Sequence, residues 1–119
     1  SACWRRVKAL EQAGVIKRYA AVVDPKAMGL GFEAMVHVHL TRHDASALAS
    51  FIRAIQSRTE VTECFATTGQ ADYHLRVLCR DIDAYNAFLE SFLFLHPAVN
   101  SATTNVILRQ IKSDAPITG

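Results

Sequence analysis

The stretch TTGQADY at residues 67–73 holds side chains that could bind a small charged molecule. Gly69 tolerates a positive φ, so neighbouring backbone amides can come close to a ligand. The hydroxyl groups of Thr67 and Thr68 and the carboxylate of Asp72 are acceptors suited to an ammonium group. A free amino acid carries both of the charges that such a site could bind. A plain hairpin turn, in which Asp72 accepts from turn amides, stays an open alternative.

The histidines form a second group that could do chemistry. His37 and His39 lie two residues apart, which places both imidazoles on one face of a strand. His43 or His74 could add a third metal ligand, but no third ligand stands at a diagnostic spacing. The sequence also holds no nucleophile elbow, phosphate loop or recognisable carboxylate pair. We therefore predict no metal, no cofactor and no enzymatic activity, and we expect buried or interfacial histidines.

The positive charge is concentrated at the N-terminal end. Residues 1–18 contain five basic residues and one acidic residue, a net charge of +4, whereas the rest contain eight basic and ten acidic residues, a net charge of −2. This distribution is typical of an element that meets nucleic-acid phosphates, although a solvated helix face is the open alternative. Arg5, Arg6 and Lys8 are the candidate DNA contacts, since arginine pairs with guanine and lysine with phosphate.

The same N-terminal segment has a helical pattern. Trp4, Val7 and Leu10 recur at helical spacing, and Gly14 ends the helix. This spacing favours Trp4 as a core residue over a residue that stacks on a base. Because so short a helix is marginal alone in water, we expect it to be the last piece of a larger domain.

From residue 33 onward the sequence alternates between strand and helix periods. The pattern predicts strand, helix, strand, strand, helix and strand over residues 33–41, 44–57, 61–69, 71–79, 81–95 and 99–111. Asp44 and Asp81 stand at the two helix starts as N-cap candidates. The two helices carry the same apolar spacing 37 residues apart: Leu48, Phe51, Ile52 and Ile55, then Tyr85, Phe88, Leu89 and Phe92. This order predicts an α+β, ferredoxin-like βαββαβ fold with both helices on one face of an antiparallel sheet.

Alternation within the first and third strands predicts which side chains meet the helices. The inward set is Ala34, Val36, Val38 and Leu40, then Tyr73, Leu75, Val77 and Cys79. The opposite set is Met35, His37 and His39, then Asp72, His74, Arg76 and Leu78. This second face is mixed in polarity, which suits contact with another subunit's sheet and predicts a homodimer.

Composition limits the class of protein further. The 119 residues are 50% hydrophobic, enough for one domain core and a short appendage. No apolar run approaches the ~20 residues of a membrane span, and no signal peptide is recognisable. Cys3, Cys64 and Cys79 lie far apart without a CxxC pair. We expect a cytoplasmic protein with no membrane partner, whose two strand cysteines are buried reduced thiols.

Three signatures in order resemble the Lrp/AsnC (feast/famine) transcriptional regulators. They are RVKALEQAGVI at residues 6–16, GQADY at residues 69–73, and the Thr- and Val-rich closing strand VNSATTNVIL at residues 99–108. The resemblance covers essentially the whole chain. It implies a DNA-binding regulator whose RAM-type second domain oligomerises and senses a small effector.

The resemblance also implies a domain organisation. Residues 1–17 would be the C-terminal part of a helix-turn-helix domain. The helix that begins near Ser1 would be the second helix of the helix-turn-helix, the recognition helix, and the first two helices of the domain would be absent. Residues 18–32 would be a linker strand and turn, residues 33–112 the sensing and oligomerisation domain, and residues 113–119 a tail. On this basis we expect the chain to be a fragment of a longer regulator.

Partners and site residues follow from the same resemblance. Relatives bind double-stranded DNA through the complete protein, and homodimers assemble into octamers with an amino-acid effector at the contact between dimers. Gly69, Gln70 and Asp72 carry over as effector ligands, although many members have an acidic residue where Gln70 stands. Arg5 is the preferred DNA contact, since Arg6 can instead serve packing. A sirohaem-decarboxylase-like enzyme is the alternative, because such enzymes resemble the family and use basic and histidine residues around a tetrapyrrole.

Overall fold

The computed structural model describes residues 2–17, 21, 23–41 and 45–118. The elements, in chain order, are α1 (Ala2–Gln12), β1 (Phe32–Leu40), α2 (Ala45–Ser57), β2 (Val61–Ala66), β3 (Tyr73–Cys79), α3 (Ile82–Phe88) and β4 (Val99–Val106). A π-helical turn, Leu89–Leu93, continues α3. The predicted βαββαβ order and the α+β class are confirmed. No helix in the described part of the chain is long and apolar enough to cross a membrane.

The four strands form one antiparallel sheet in the order β2-β3-β1-β4. The central strand β1 places His37 opposite His74 of β3 and opposite Thr103 of β4. A register irregularity between His39 and Leu40 interrupts the pairing with β4 at the end of β1. This irregularity lies beside the β2–β3 loop.

The core lies between the sheet and the helices. The predicted inward residues Ala34, Val36 and Val38 of β1 are fully buried, as are Leu75 and Val77 of β3. The helices cover them with a set of buried side chains: Phe51, Ile55, Tyr85, Phe88 and Leu93. Because each large apolar side chain contributes roughly 1.5–3 kcal/mol on burial, this layer is what fixes the strand register.

The N-terminus of α3 is capped as predicted. The Asp81 side chain accepts a 2.8 Å hydrogen bond from the backbone N–H of Ala84. Asp44, the other predicted cap, lies outside the described residues. The predicted helix over residues 81–95 becomes π-helical near its end, where the N–H of Phe94 donates to Leu89 O at 2.9 Å. The wider turn lets Phe88 and Leu93, five residues apart, both point into the core.

Several predictions about individual residues were wrong. Cys64 is exposed, because β2 is an edge strand, whereas Cys79 on β3 is buried as expected. Trp4 is 58% exposed and no side chain of α1 is buried in the described structure, so the expected place of Trp4 in the core of a larger domain stays a prediction. Strands β2 and β4 end at Ala66 and Val106, earlier than the predicted 69 and 111. The linker strand and turn expected at residues 18–32 lie partly outside the described residues.

Candidate functional site

The candidate site lies on the sheet face opposite the helices. We call this the outer face, and it carries Met35, His37, His39, His74 and Arg76. At the end nearest the β2–β3 loop, the face holds an open pocket of about 440 Å³. The pocket is lined by His37, His39, Thr68, Gln70, Ala71, His74 and Thr103. The structure therefore brings two of the predicted effector residues together with three histidines.

Strand geometry explains why these side chains converge. Residues two apart on a strand point to the same side, which puts His37 and His39 on the outer face. The antiparallel register then sets His74 and Thr103 on either side of His37. The loop after β2 folds back over this end of the face and adds Thr68 and Gln70.

A short hydrogen-bonded chain runs through the pocket. Nδ1 of His37 lies 2.5 Å from Nδ1 of His74, and the two rings meet edge to face with centroids 4.6 Å apart. Nε2 of His74 lies 2.8 Å from the Thr67 hydroxyl oxygen. A hydrogen bond between two imidazole nitrogens needs one N–H and one lone pair, so the pair shares one proton between the facing atoms.

The loop itself is closed by local hydrogen bonds. The N–H of Thr67 donates to Asp72 O at 3.3 Å, and the Thr67 hydroxyl donates to Ala71 O at 3.4 Å. Gly69 adopts φ +119°, a conformation that side-chain-bearing residues rarely take. An added Cβ at Gly69 would meet no atom within 4 Å, so the need for glycine here is conformational and not steric.

Asp72 forms hydrogen bonds with the end of β1. Its carboxylate oxygen Oδ2 accepts a 2.7 Å hydrogen bond from the N–H of Leu40, on β1, and its own N–H donates to Val38 O at 3.0 Å. The carboxylate thus satisfies a backbone amide at the irregular end of β1. Asp72 does not line the pocket with Thr68 and Gln70, and its role as an effector ligand stays a prediction.

The other end of the outer face is charged. Arg76 Nε lies 3.0 Å from Glu63 Oε1, and an Arg76 terminal nitrogen lies 3.4 Å from Glu33 Oε2. At that end, the positive charge that β3 presents is therefore matched by one carboxylate from β1 and one from β2. None of the pocket-lining residues at the loop end is acidic, lysine or arginine.

The histidine cluster does not form a metal centre. Within the part of the chain that the structure describes, no group of three or more His, Cys, Asp or Glu side chains could hold a metal ion. His43, the other suggested ligand, lies outside the described residues.

The candidate DNA contacts lie on α1. Arg5, Arg6 and Lys8 are all exposed on this helix. The Lys8 ammonium lies 5.2 Å from the centroid of the Trp4 ring, a cation–π contact within the helix. The helix therefore presents a basic surface, and contact with DNA stays a prediction.

The pairing of His37 with His74 was not predicted from the sequence, although both residues were expected on the mixed face. A signal for it exists, because the short connection between β2 and β3 and the apolar alternation of β1 and β3 restrict the register. Thr103 was not predicted as a pocket residue, because only the composition of β4 carried a signal.

Comparisons with known proteins agree with the fold. A family model described as the Lrp/AsnC ligand binding domain matches residues 33–117. The transcriptional regulator AzlB of Bacillus subtilis is 32% identical over 108 residues, 91% of this chain and 69% of the relative. The leucine-responsive regulatory protein of Haemophilus influenzae is 33% identical over 110 residues, 92% of this chain and 66% of that protein.

A solved structure is similar over almost the whole chain. A Neisseria meningitidis transcriptional regulator, determined in complex with L-Met, superposes with a TM-score of 0.93 at 33% identity. The match covers 99% of this chain and 76% of that one. These relatives are transcriptional regulators, which favours the regulator over the decarboxylase-like alternative. The chain belongs to the Lrp/AsnC family.

Proposed function

We propose that this chain is part of a cytoplasmic transcriptional regulator that binds DNA through α1 and an amino-acid effector at the β2–β3 loop. The observation that carries the effector assignment is the pocket, where Thr68 and Gln70 meet three histidines in a space large enough for a small molecule. A similar regulator has been determined with L-Met, which supports an amino acid as the ligand class.

The loop is suited to transmit a ligand signal. Asp72 connects the loop to the end of β1 through Leu40, so a ligand that orders the loop also orders the adjacent sheet. We propose that homodimers form through the mixed outer face, with the pocket at the rim of that contact so that it stays open, and that the dimers join into larger assemblies through the loop. Binding and assembly are then linked, because a ligand that prefers the assembled form must stabilise it.

Calorimetry with the common L-amino acids tests the effector assignment. At least one should bind, and Gln70→Ala should weaken that ligand's binding. Gln110→Ala, which lies away from this pocket, is the matched control and should leave the affinity unchanged. Sedimentation should show a dimer or larger species. No binding by any amino acid, or only monomer at micromolar concentration, would contradict the corresponding proposal.

The DNA assignment has a separate test in the salt dependence of binding to double-stranded DNA. Replacing Arg5, Arg6 and Lys8 together by alanine should reduce the slope of log affinity against log salt by about 0.9 for each phosphate that the variant no longer neutralises. The charge-matched control replaces Lys26, Arg53 and Arg80, which are also exposed. Equal slopes for the two triple variants would remove α1 as the DNA-binding element.

A further inference from the structure

The chemistry of the pocket points to one kind of ligand group. Of the residues that line it, only the three histidines have side chains that can carry a charge, and that charge can only be positive. No lining side chain offers a fixed negative charge to a cation. The complementary group on a ligand is therefore an anion.

The facing histidines make this preference specific. His37 and His74 share one proton between their Nδ1 atoms. If both Nδ1 atoms carry a proton, the N–H groups oppose one another and the hydrogen bond between the rings breaks. Both N–H groups then need an acceptor, and a carboxylate accepts through two oxygens and donates nothing.

We propose that His37 and His74 form a carboxylate subsite that holds the acid group of the effector and takes up one proton from solvent on binding. The added proton goes to the Nδ1 that accepted the hydrogen bond, and no covalent bond of the ligand changes. This inference rests on the proposed effector function and names the part of the ligand that the histidines recognise.

The charged residues around the pair already have partners, so the imidazoles are the groups left to bind a carboxylate. Along β3, the neighbours of His74 on the same face are Asp72 and Arg76, and both are engaged, with the Leu40 amide and with Glu63 and Glu33 respectively. The other neighbours among the described residues carry no fixed charge: Met35 and His39 on β1, Phe65 on β2, Thr67, Thr68 and Gln70 in the loop, and Thr103 on β4. A carboxylate at the pair would therefore meet no competing anion that lacks its own partner.

The test uses the amino acid that binds best in the calorimetric panel. Its affinity should be higher at pH 6 than at pH 8, by at most about tenfold for each pH unit, because one proton is taken up on binding. Titrations in two buffers of different ionisation enthalpy should show uptake of one proton. At about pH 6, where both carry an ammonium group, the α-amide of the same amino acid should bind far more weakly.

Variants locate the effect. His74→Gln should abolish both the pH dependence and the proton uptake, and His37→Asn serves if a thermal melt shows that His74→Gln is unfolded. His96→Gln is the control, since His96 lies by Ser50 and the Ala98 amide, outside the pocket. It should retain both properties.

The outcomes separate the two proposals. An amino acid that binds equally at both pH values without proton uptake would overturn the carboxylate subsite and leave the effector function standing. Unchanged pH dependence in a folded His74→Gln variant would do the same. If no amino acid binds at either pH, that result would contradict both the effector function and the carboxylate subsite.

Discussion

The two ends of the outer face use polar groups in opposite ways. At the loop end, His37 and His74 share a proton and line an open pocket. At the other end, Arg76 is held between Glu63 and Glu33 in ion pairs. The loop end has no acidic, lysine or arginine side chain among its lining residues, whereas the charges of the second end are already matched. A charged ligand group could therefore bind at the loop end without displacing a counter-ion, whereas at the other end it would have to displace a carboxylate.

Both ends include residues of β3, so removing a core side chain of β3 should lower the free energy of unfolding more than any other change considered for either end. Leu75 lies on β3 between His74 and Arg76 and is fully buried. Leu75→Ala should lower the free energy of unfolding by about 2–5 kcal/mol, because it leaves a cavity. Urea unfolding measures the loss, and Leu108→Ala, 92% exposed, should change stability by less than about 0.5 kcal/mol. Two separate transitions for the two ends would show that they are independent units.

Asp72 should have the next largest effect, confined to the loop end. Asp72→Ala removes a charged acceptor from the Leu40 amide, which costs roughly 1.5–3 kcal/mol of stability. Asp72→Asn keeps an acceptor oxygen and should lose less. If Asp72 also binds the ammonium group of the effector, both variants should lose affinity for it even at temperatures at which a thermal melt shows them to be fully folded. Full affinity in a folded Asp72→Asn would leave Asp72 as a structural residue only.

The fold was predictable from the sequence because its signals are local and repeated. Alternation identified the inward residues of β1 and β3, and the 37-residue offset between the helices identified the doubled unit. The exposure of Cys64 was not predictable, because it depends on β2 being the edge strand. The Asp72 to Leu40 hydrogen bond joins residues 32 positions apart, and no local pattern specifies it.

A substitution at Gly69 tests whether the conformation of the β2–β3 loop stabilises the loop end. Gly69→Ala forces a side-chain-bearing residue into φ +119° and should cost about 1–3 kcal/mol in stability, mostly by opening the loop. Gly31→Ala is the control, because Gly31 has no positive φ and its Cβ would make an ordinary 3.8 Å contact with Arg80 O. Thermal melts compare the two. Equal losses would mean that the loop conformation contributes nothing of its own.

The smallest effect is expected at the ion-pair end. The Arg76 side chain is 30% exposed and Glu63 48%, so water screens their attraction. Arg76→Gln should lower the free energy of unfolding by no more than about 1 kcal/mol, and added salt should reduce the difference. A double-mutant cycle with Glu63→Gln isolates the pair. The coupling should weaken as salt is added, because mobile ions screen charges that water already reaches. A coupling energy well above about 1 kcal/mol that salt left unchanged would show that water does not screen this ion pair, and would contradict its place as the smallest effect.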